Sequence, residues 1–376
     1  MSTNDRGGVF SLVLEMCGHE GFALVGAAPI EPIEHAEALR EWLDAGKHGE
    51  MAWLADTVEE RLDPTRLLPG ARSVVMVAEY YAGRGVAAEE SRLGSGRIAR
   101  YARGRDYHTV LKRRLHRVCD RVRETFPGAA TRAFCDSAPV LEREMALRCG
   151  LGWIGKHTLL IHPTHGSWMV LGGFFTTLEL DAPASQRLEP DHCGSCTRCI
   201  DACPTNAITP YSVDGSRCIS YLTIEHEREI EPTLAAGMGD WLVGCDVCQE
   251  VCPHNSARRN GHQSMSGPGM AHPELTPRRD GFDLLEVLGW DEESRRARFA
   301  SSAMKRVTLS QIKRNAILIG VGQMESCDPG RVAQDMKLRD RFRTRLVDIA
   351  WDAGEPELVR KTARDGLRRL DAMPGA

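Results

Sequence analysis

Eight cysteines lie between Cys193 and Cys252. The first run reads Cys193-x2-Cys196-x2-Cys199-x3-Cys203-Pro204. The second reads Cys245-x2-Cys248-x3-Cys252-Pro253, and Cys218 stands between the two. In runs of this spacing three thiolates hold one 4Fe–4S cube and the fourth crosses to the other. The second run lacks its first cysteine, and by count Cys218 replaces it. The expected ligand sets are Cys193, Cys196, Cys199 and Cys252 for one cluster, and Cys203, Cys218, Cys245 and Cys248 for the other. Zinc would favour paired Cys-x2-Cys units. A disulfide framework needs an oxidising compartment, and the chain opens Met1-Ser-Thr-Asn-Asp-Arg6, not with a charged, apolar, small-residue leader. The implied chemistry is single-electron transfer in the cytoplasm. Cys17, Cys119, Cys135, Cys149 and Cys327 are expected as small buried hydrophobes.

A chain of 376 residues suits two or three domains, and 42% apolar residues is ordinary for a globular protein. No run of 18 apolar residues is present, so no membrane span is expected. The net charge of −4 does not suggest a polyanion partner. Locally the balance differs. Between Arg92 and Arg123 eleven Lys and Arg face only Asp106 and Asp120. A second basic group comprises Arg295, Arg296, Arg298, Lys305, Arg306, Lys313 and Arg314. Such patches neutralise phosphates or simply form solvated helix faces.

The elements that position this chemistry fall into three segments. Residues 1–182 read as α/β. Phe22-Ala-Leu-Val and Ser73-Val-Val-Met-Val-Ala look like buried strands. Helices are expected over 33–45 and 107–124, where Val110, Leu111, Leu115, Val118 and Val122 recur at helical spacing. Thr131–Asp136 reads as a strand, followed by a helix from Pro139 to Cys149. Thr158-Leu-Leu-Ile and Trp168-Met-Val-Leu read as a hairpin. The stretch 181–190 looks like a linker into a cluster domain, 183–256. Residues 256–281 form a second linker, and 282–376 look all-helical, with helices around Ile312 and Leu358 resembling HEAT-like repeats.

Six segments carry a wider resemblance. They are Tyr101-Ala-Arg-Gly-Arg-Asp-Tyr-His108, Asp136-Ser-Ala-Pro-Val-Leu-Glu-Arg143, Gly150-Leu-Gly-Trp-Ile-Gly-Lys156, Arg217-Cys-Ile-Ser-Tyr-Leu-Thr-Ile-Glu225, Cys245-Asp-Val-Cys-Gln-Glu-Val-Cys-Pro-His254 and Lys313-Arg-Asn315. In this order, around these cysteines, the chain resembles the epoxyqueuosine reductases over nearly its whole length. The resemblance implies a multidomain α+β and α/β architecture. A cobalamin-binding catalytic domain like that of reductive dehalogenases comes first, then a ferredoxin-like domain with two 4Fe–4S clusters, then an all-α HEAT-like segment. It implies cobalamin as cofactor and, as substrate, a tRNA anticodon stem–loop carrying epoxyqueuosine. An external donor such as a flavodoxin or ferredoxin would reload the clusters. A monomer with no membrane contact is expected.

Removing an epoxide oxygen to leave an alkene takes two electrons and two protons. Side chains cannot supply the electrons; a low-potential cobalt centre can. Asp136 sits where a strand turns into a helix, and suits a helix N-cap or a general acid. The resemblance favours the acid. Arg143 lies seven residues on, about two turns along the same face, and is expected at the site; Glu142 simply pairs with a nearby base. Tyr107 and His108 line the pocket or contact RNA, or Tyr107 packs in the core. Gly152 and Gly155 lack the spacing of a phosphate loop and suit close approach to a corrin. Lys156, His157 and Thr158 are expected corrin contacts, with His157 not assigned as a cobalt ligand; Arg61 and Ser220 are placed there by the resemblance alone. Lys305, Arg306, Lys313 and Arg314 are expected at an RNA surface. The rival readings are a corrinoid dehalogenase of a small molecule, which the basic patches and helical tail suit less well than RNA, and a ferredoxin-type electron carrier, which leaves the long segment before the cysteines unexplained.

Overall fold

The computed structural model describes residues 3–83, 92–182, 186–256, 271–326 and 332–372. Most of the second expected linker (257–270), residues 183–185 of the first and Cys327 lie outside them. The first segment contains α1 (Thr3–His19), β1 (Leu24–Pro29), α2 (Ala36–Asp44), α3 (Trp53–Asp56), α4 (Val58–Leu62), β2 (Ser73–Tyr80), β3 (Ser95–Ile98), α5 (Tyr107–Thr125), β4 (Thr131–Phe134), α6 (Glu142–Arg148), β5 (Trp153–Ile154), β6 (Leu160–Ile161) and β7 (Met169–Thr176).

Strands β1, β2, β7 and β4 form one antiparallel sheet in that order. Every residue of β2 is buried, because helices cover both faces of the sheet. Successive side chains of a strand point to opposite faces. Val75 and Val77 pack with α1 and α5, while Val74, Met76 and Ala78 pack with α6. The buried stripe of α5 is Val110, Leu111, Leu115, Val118 and Val122.

Two local expectations change. The expected hairpin does not form: β6 pairs with β5, whereas β7 pairs with β2 and β4. Phe174 and Phe175 of β7, both buried, pack into the cores on opposite faces of the main sheet, and this fixes its place. The helix after Asp136 starts at Glu142 instead of Pro139. Residues 135–141 form the irregular turn described below, which leaves Asp136 outside any cap.

The cysteine-bearing segment contains α7 (Arg198–Asp201), β8 (Ile208–Thr209), β9 (Ser212–Val213), α8 (Ile219–Ile224), α9 (Pro232–Gly237), β10 (Trp241–Val243) and α10 (Val247–Glu250). The last segment contains β11 (Gly281–Asp283), α11 (Leu284–Leu288), α12 (Glu292–Phe299), α13 (Leu309–Glu325), α14 (Val332–Trp351) and α15 (Glu357–Asp371). A second sheet orders β10-β3-β11. It takes one strand from each of the three segments, so they interlock. One apolar core joins Ile98, Leu242, Phe282, Ile317 and Phe342 across all three.

Helix α13 ties this join to the cysteine loops. A helix leaves its last carbonyls without intrahelical partners. At the end of α8, side chains of α13 supply them. Arg314 donates to the carbonyls of Leu222 at 2.7 Å, His226 at 2.6 Å and Arg228 at 2.6 Å. Asn315 donates to those of Thr223 and Leu242, and Gln311 to Ile224. Arg314 is 0% exposed, and Lys313 is buried against Glu355. Both were expected at an RNA surface, and both are corrected here: their charges point into the protein. The first basic run is likewise engaged internally, with Arg97, Arg100 and Arg114 paired to Asp240, Glu250 and Glu79. Arg314→Met removes the donor to the buried Leu222 carbonyl and to the part-buried carbonyls of His226, which keeps Gln311, and Arg228, and is expected to cost about 1–3 kcal/mol. Urea unfolding followed by circular dichroism measures this; an unchanged midpoint would contradict the capping role.

Candidate functional site

The loops around α7, α8 and α10 gather the cysteines. Burial raises the pKa of Cys199 and of Cys252; charge on Cys193 or Cys196 adds to the first, and charge on Cys193 or Cys199 to the second. Separately, Cys203 and Cys218 act on Cys245, and Cys245 and Cys218 on Cys248. Charge also couples Cys199 to Cys248, so the two groups are neighbours. Among the described residues, no three His, Cys, Asp or Glu converge tightly enough for a single metal ion. The two observations agree, because a four-iron cube holds its thiolates farther apart than one ion does. Backbone N–H groups point at several sulfurs, among them Ala207 to Cys203 at 3.3 Å, and Ser220 and Tyr221 to Cys218. Such donors favour the thiolate. Ser220 is thus a neighbour of Cys218.

The second constellation begins at the start of α5. Asp106 is the N-cap: its Oδ1 accepts from the His108 N–H at 3.1 Å and meets His108 Nδ1 at 2.8 Å. His108 Nε2 lies 2.8 Å from Asp136 Oδ2. The Tyr107 hydroxyl bonds Asp136 as well, and the Tyr107 ring stacks on His108 at 4.0 Å. Lys305, on a turn before α13, lies 3.8 Å from Asp106.

Asp136 occupies a strained position. Its φ is 54°, in the left-handed region, and the Ser137 N–H reaches back to the Cys135 carbonyl at 2.6 Å. This is a three-residue turn with a left-handed centre, which is rare and costs about 1–3 kcal/mol. The neighbourhood holds it: Glu142 Oε1 accepts the Asp136 N–H at 2.5 Å, and Lys112 bonds Ser137 at 2.9 Å. The turn aims the carboxylate outward, and its side chain is 53% exposed.

Electrostatics separates the three ionisable groups. Burial works against charge on His108, but its bonds to Asp106 and Asp136 prevail and push its pKa up to about 9. Burial would raise Asp136, yet the bonds from His108 and Tyr107 hold it below the usual carboxylate range. Glu142 goes up to about 8, through burial and then the Asp136 charge beside it. Burial also lowers the Arg143 guanidinium, although that residue reaches solvent. Asp136 and Arg143 thus reach solvent at a place where much of the surrounding volume is protein.

Arg143 donates to the Thr158 carbonyl at 2.6 Å and to its hydroxyl at 2.9 Å. Arg61 is buried, stands over the Trp53 ring at 5.4 Å and responds to the charges of Glu142 and Asp136. Its Nε has no partner. His157 is buried; its Nδ1 accepts from Leu159, its Nε2 is unpaired, and burial pushes its pKa down to about 4, so it is neutral. Lys156 differs: its Nζ donates to the carbonyls of Gly194 at 2.6 Å and Cys196 at 3.0 Å, tying this loop to the cysteines. Gly152 has φ 149°, and a Cβ there would meet the Ile161 carbonyl at 2.2 Å. Strand packing therefore explains this glycine. Arg306 pairs with Glu225 at 2.9 Å and stands over Trp53 at 5.3 Å. Sequence reasoning passed over Asp106 and Trp53. The Asp106-x-His108 spacing beside a helix start was the available signal for the first; the second has none.

Comparison with known proteins gives a consistent picture. Residues 61–137 match the family described as "Epoxyqueuosine reductase QueG, DUF1730", and residues 192–255 match a "4Fe-4S double cluster binding domain". The chain is 41% identical over 307 residues to the epoxyqueuosine reductase of Synechococcus sp. (strain CC9605), covering 79% of this chain and 90% of that one. It is 37% identical over 336 residues to that of Pseudomonas aeruginosa, covering 88% and 90%. The solved epoxyqueuosine reductase of Bacillus subtilis superposes with a TM-score of 0.80 at 24% identity, over 96% of this chain and 91% of that one. Another, solved with an epoxyqueuosine-modified tRNA-Tyr stem loop, gives 0.75 at 23%, over 97% and 100%. These likenesses confirm the overall fold.

If Cys218 serves one cube only, Cys218→Ala is expected to halve the iron content, from about eight to about four atoms per chain. Iron assay after anaerobic reconstitution checks this; full iron retention would contradict the ligand set.

Proposed function

This chain belongs to the epoxyqueuosine reductase family, and from that premise we propose that Asp136 hands over the proton its reaction requires. The reaction reduces the epoxide of epoxyqueuosine to the alkene of queuosine at the wobble position of a tRNA. Both carbon–oxygen bonds of the epoxide break, and the oxygen leaves as water with two protons and two electrons. The observation that carries the reading is the Asp106–His108–Asp136 chain, which ends on a strained turn with the Asp136 carboxylate open to solvent.

At neutral pH the site holds an ionised Asp136, a protonated His108 and a neutral Glu142. Asp136 faces the substrate but carries no proton of its own at rest. His108 holds one on Nε2, 2.8 Å away. As negative charge develops on the departing oxygen, Asp136 passes on the proton it draws from His108. Asp106 keeps the ring oriented and favours its charged form. Glu142 holds a second proton next to the same turn. Arg143 fixes the Thr158 loop.

The residues present fit cobalamin. The buried Arg61 Nε and His157 Nε2 have no partner within the protein and suit a corrin's fringe of amides. Thr158 and Ser220 are further contacts in this reading, while Lys156 acts through the cysteine loop that it anchors. Bound there, cobalamin supplies a low-potential cobalt centre, reloaded through two 4Fe–4S clusters held by the two cysteine sets. Residues 1–182 serve as the catalytic domain, 183–256 as the ferredoxin-like domain and 282–376 as a helical segment that braces both. A flavodoxin or ferredoxin donates the electrons, and the chain acts as a cytoplasmic monomer. Among the described residues no helix is long and apolar enough to cross a membrane. The anticodon stem–loop approaches the face bearing Lys305 and Arg306, which are 57% and 50% exposed.

Asp136→Asn is expected to keep corrin and iron while losing about 100-fold or more in turnover of an epoxyqueuosine stem–loop. Nucleoside mass spectrometry reads the product, and full activity would overturn the assignment. The pH dependence has a defined sign. His108 must be protonated, so turnover holds at neutral pH and falls as pH rises through about 9. His108→Gln removes that alkaline limb; a limb that persists in the variant contradicts the role.

A further inference from the structure

Trp53 is a large apolar side chain left 40% exposed, on the short helix α3. The guanidinium groups of Arg61 and Arg306 both stand over its ring, at 5.4 and 5.3 Å. These arginines come from opposite ends of the chain. Arg61 belongs to α4, and Arg306 to the turn Ala303–Arg306 before α13. Both also act on Asp136 through their charge, which puts them within electrostatic range of the reacting groups. Lys305, on the same turn, reaches Asp106. Two arginines thus hold one exposed indole in place at the surface on the Asp136 side of the protein.

An exposed aromatic ring among cations suits one class of ligand. Unpaired nucleobases stack on aromatic rings and guanidinium planes, and the phosphates that join them need positive charge. The wobble nucleoside lies in a loop, with unpaired neighbours on its strand. When its ring reaches Asp136, those neighbours must lie at this surface. We propose that Trp53, with Arg306 and Lys305, forms a stacking platform for the unpaired nucleotide next to the reacting nucleoside. The platform rests on the reading of this chain as an enzyme of tRNA. It assigns the RNA grip to a single surface, in place of the buried Lys313 and Arg314.

The test uses the full-length protein loaded with clusters and cobalamin, and a fluorescent epoxyqueuosine anticodon stem–loop. Trp53→Ala is expected to raise both Kd and KM by about 5- to 100-fold, the range for losing one base–aromatic stack. Turnover at saturating RNA, corrin content and iron content should stay close to wild type, and Trp53→Phe should recover most of the affinity. A stem–loop made abasic beside the modified nucleoside should bind wild type and Trp53→Ala alike, because one lost stack cannot be lost twice. Equal affinity of Trp53→Ala and wild type for the intact RNA would overturn the platform. So would additive losses from the variant and the abasic site, or loss of corrin with RNA affinity unchanged. Wild-type protein that fails to bind the stem–loop would overturn the platform together with the tRNA reading, a result distinct from any in which wild type binds.

Discussion

The hydrogen-bonded chain Asp106–His108–Asp136 is the constraint around which the catalytic segment is arranged. Two carboxylates 2.8 Å from the two nitrogens of one imidazole make its positive charge favourable despite burial. Each link has a separate structural source. Asp106 is fixed because it also caps α5. His108 is fixed by that cap and by the Tyr107 ring stacked against it. Asp136 is fixed by a left-handed turn that strains any residue with a side chain, and the Glu142 carboxylate holds the turn through the Asp136 N–H. Backbone strain is thereby spent on holding a carboxylate at the open end of a proton store.

Electrons and protons must meet at one site, and the interlocked fold provides for this. The β10-β3-β11 sheet takes a strand from each segment, so none of the three can shift alone. Arg314, Asn315 and Gln311 fasten α13 to the end of α8, whose other end follows Cys218. Lys156 fastens the loop after β5 to the first cysteine run. The C-terminal helices act first as a brace for the cysteine loops. The exposed turn that carries Lys305 and Arg306 is the part of them proposed to meet RNA.

What could be read in the sequence followed from local rules. The cysteine spacings, the apolar stripe of α5 and the buried run of β2 depend on residues close together in the chain, and each was legible. What depended on distant partners was not. Lys313 and Arg314 look like solvent-facing cations because nothing nearby shows that the carbonyls of residues 222–228 await Arg314. The partner of β7 is chosen by β2, about a hundred residues earlier, so the expected hairpin was wrong. By its local sequence Asp136 read rather as a helix cap, because its positive φ belongs to a turn held by more distant partners, Glu142 and His108. Trp53 carried no signal at all, since its meaning comes from arginines that converge only in the folded chain.

The account turns on where the proton rests before reaction. Nitrogen-detected NMR of histidine-labelled protein, with both clusters in their oxidised, spin-paired state, titrates His108 directly; the His108→Gln spectrum identifies its signal. The account predicts a wild-type pKa near 9 that falls towards the ordinary histidine value in Asp136→Asn. A wild-type His108 titrating near 6.5, unmoved by that substitution, would contradict it.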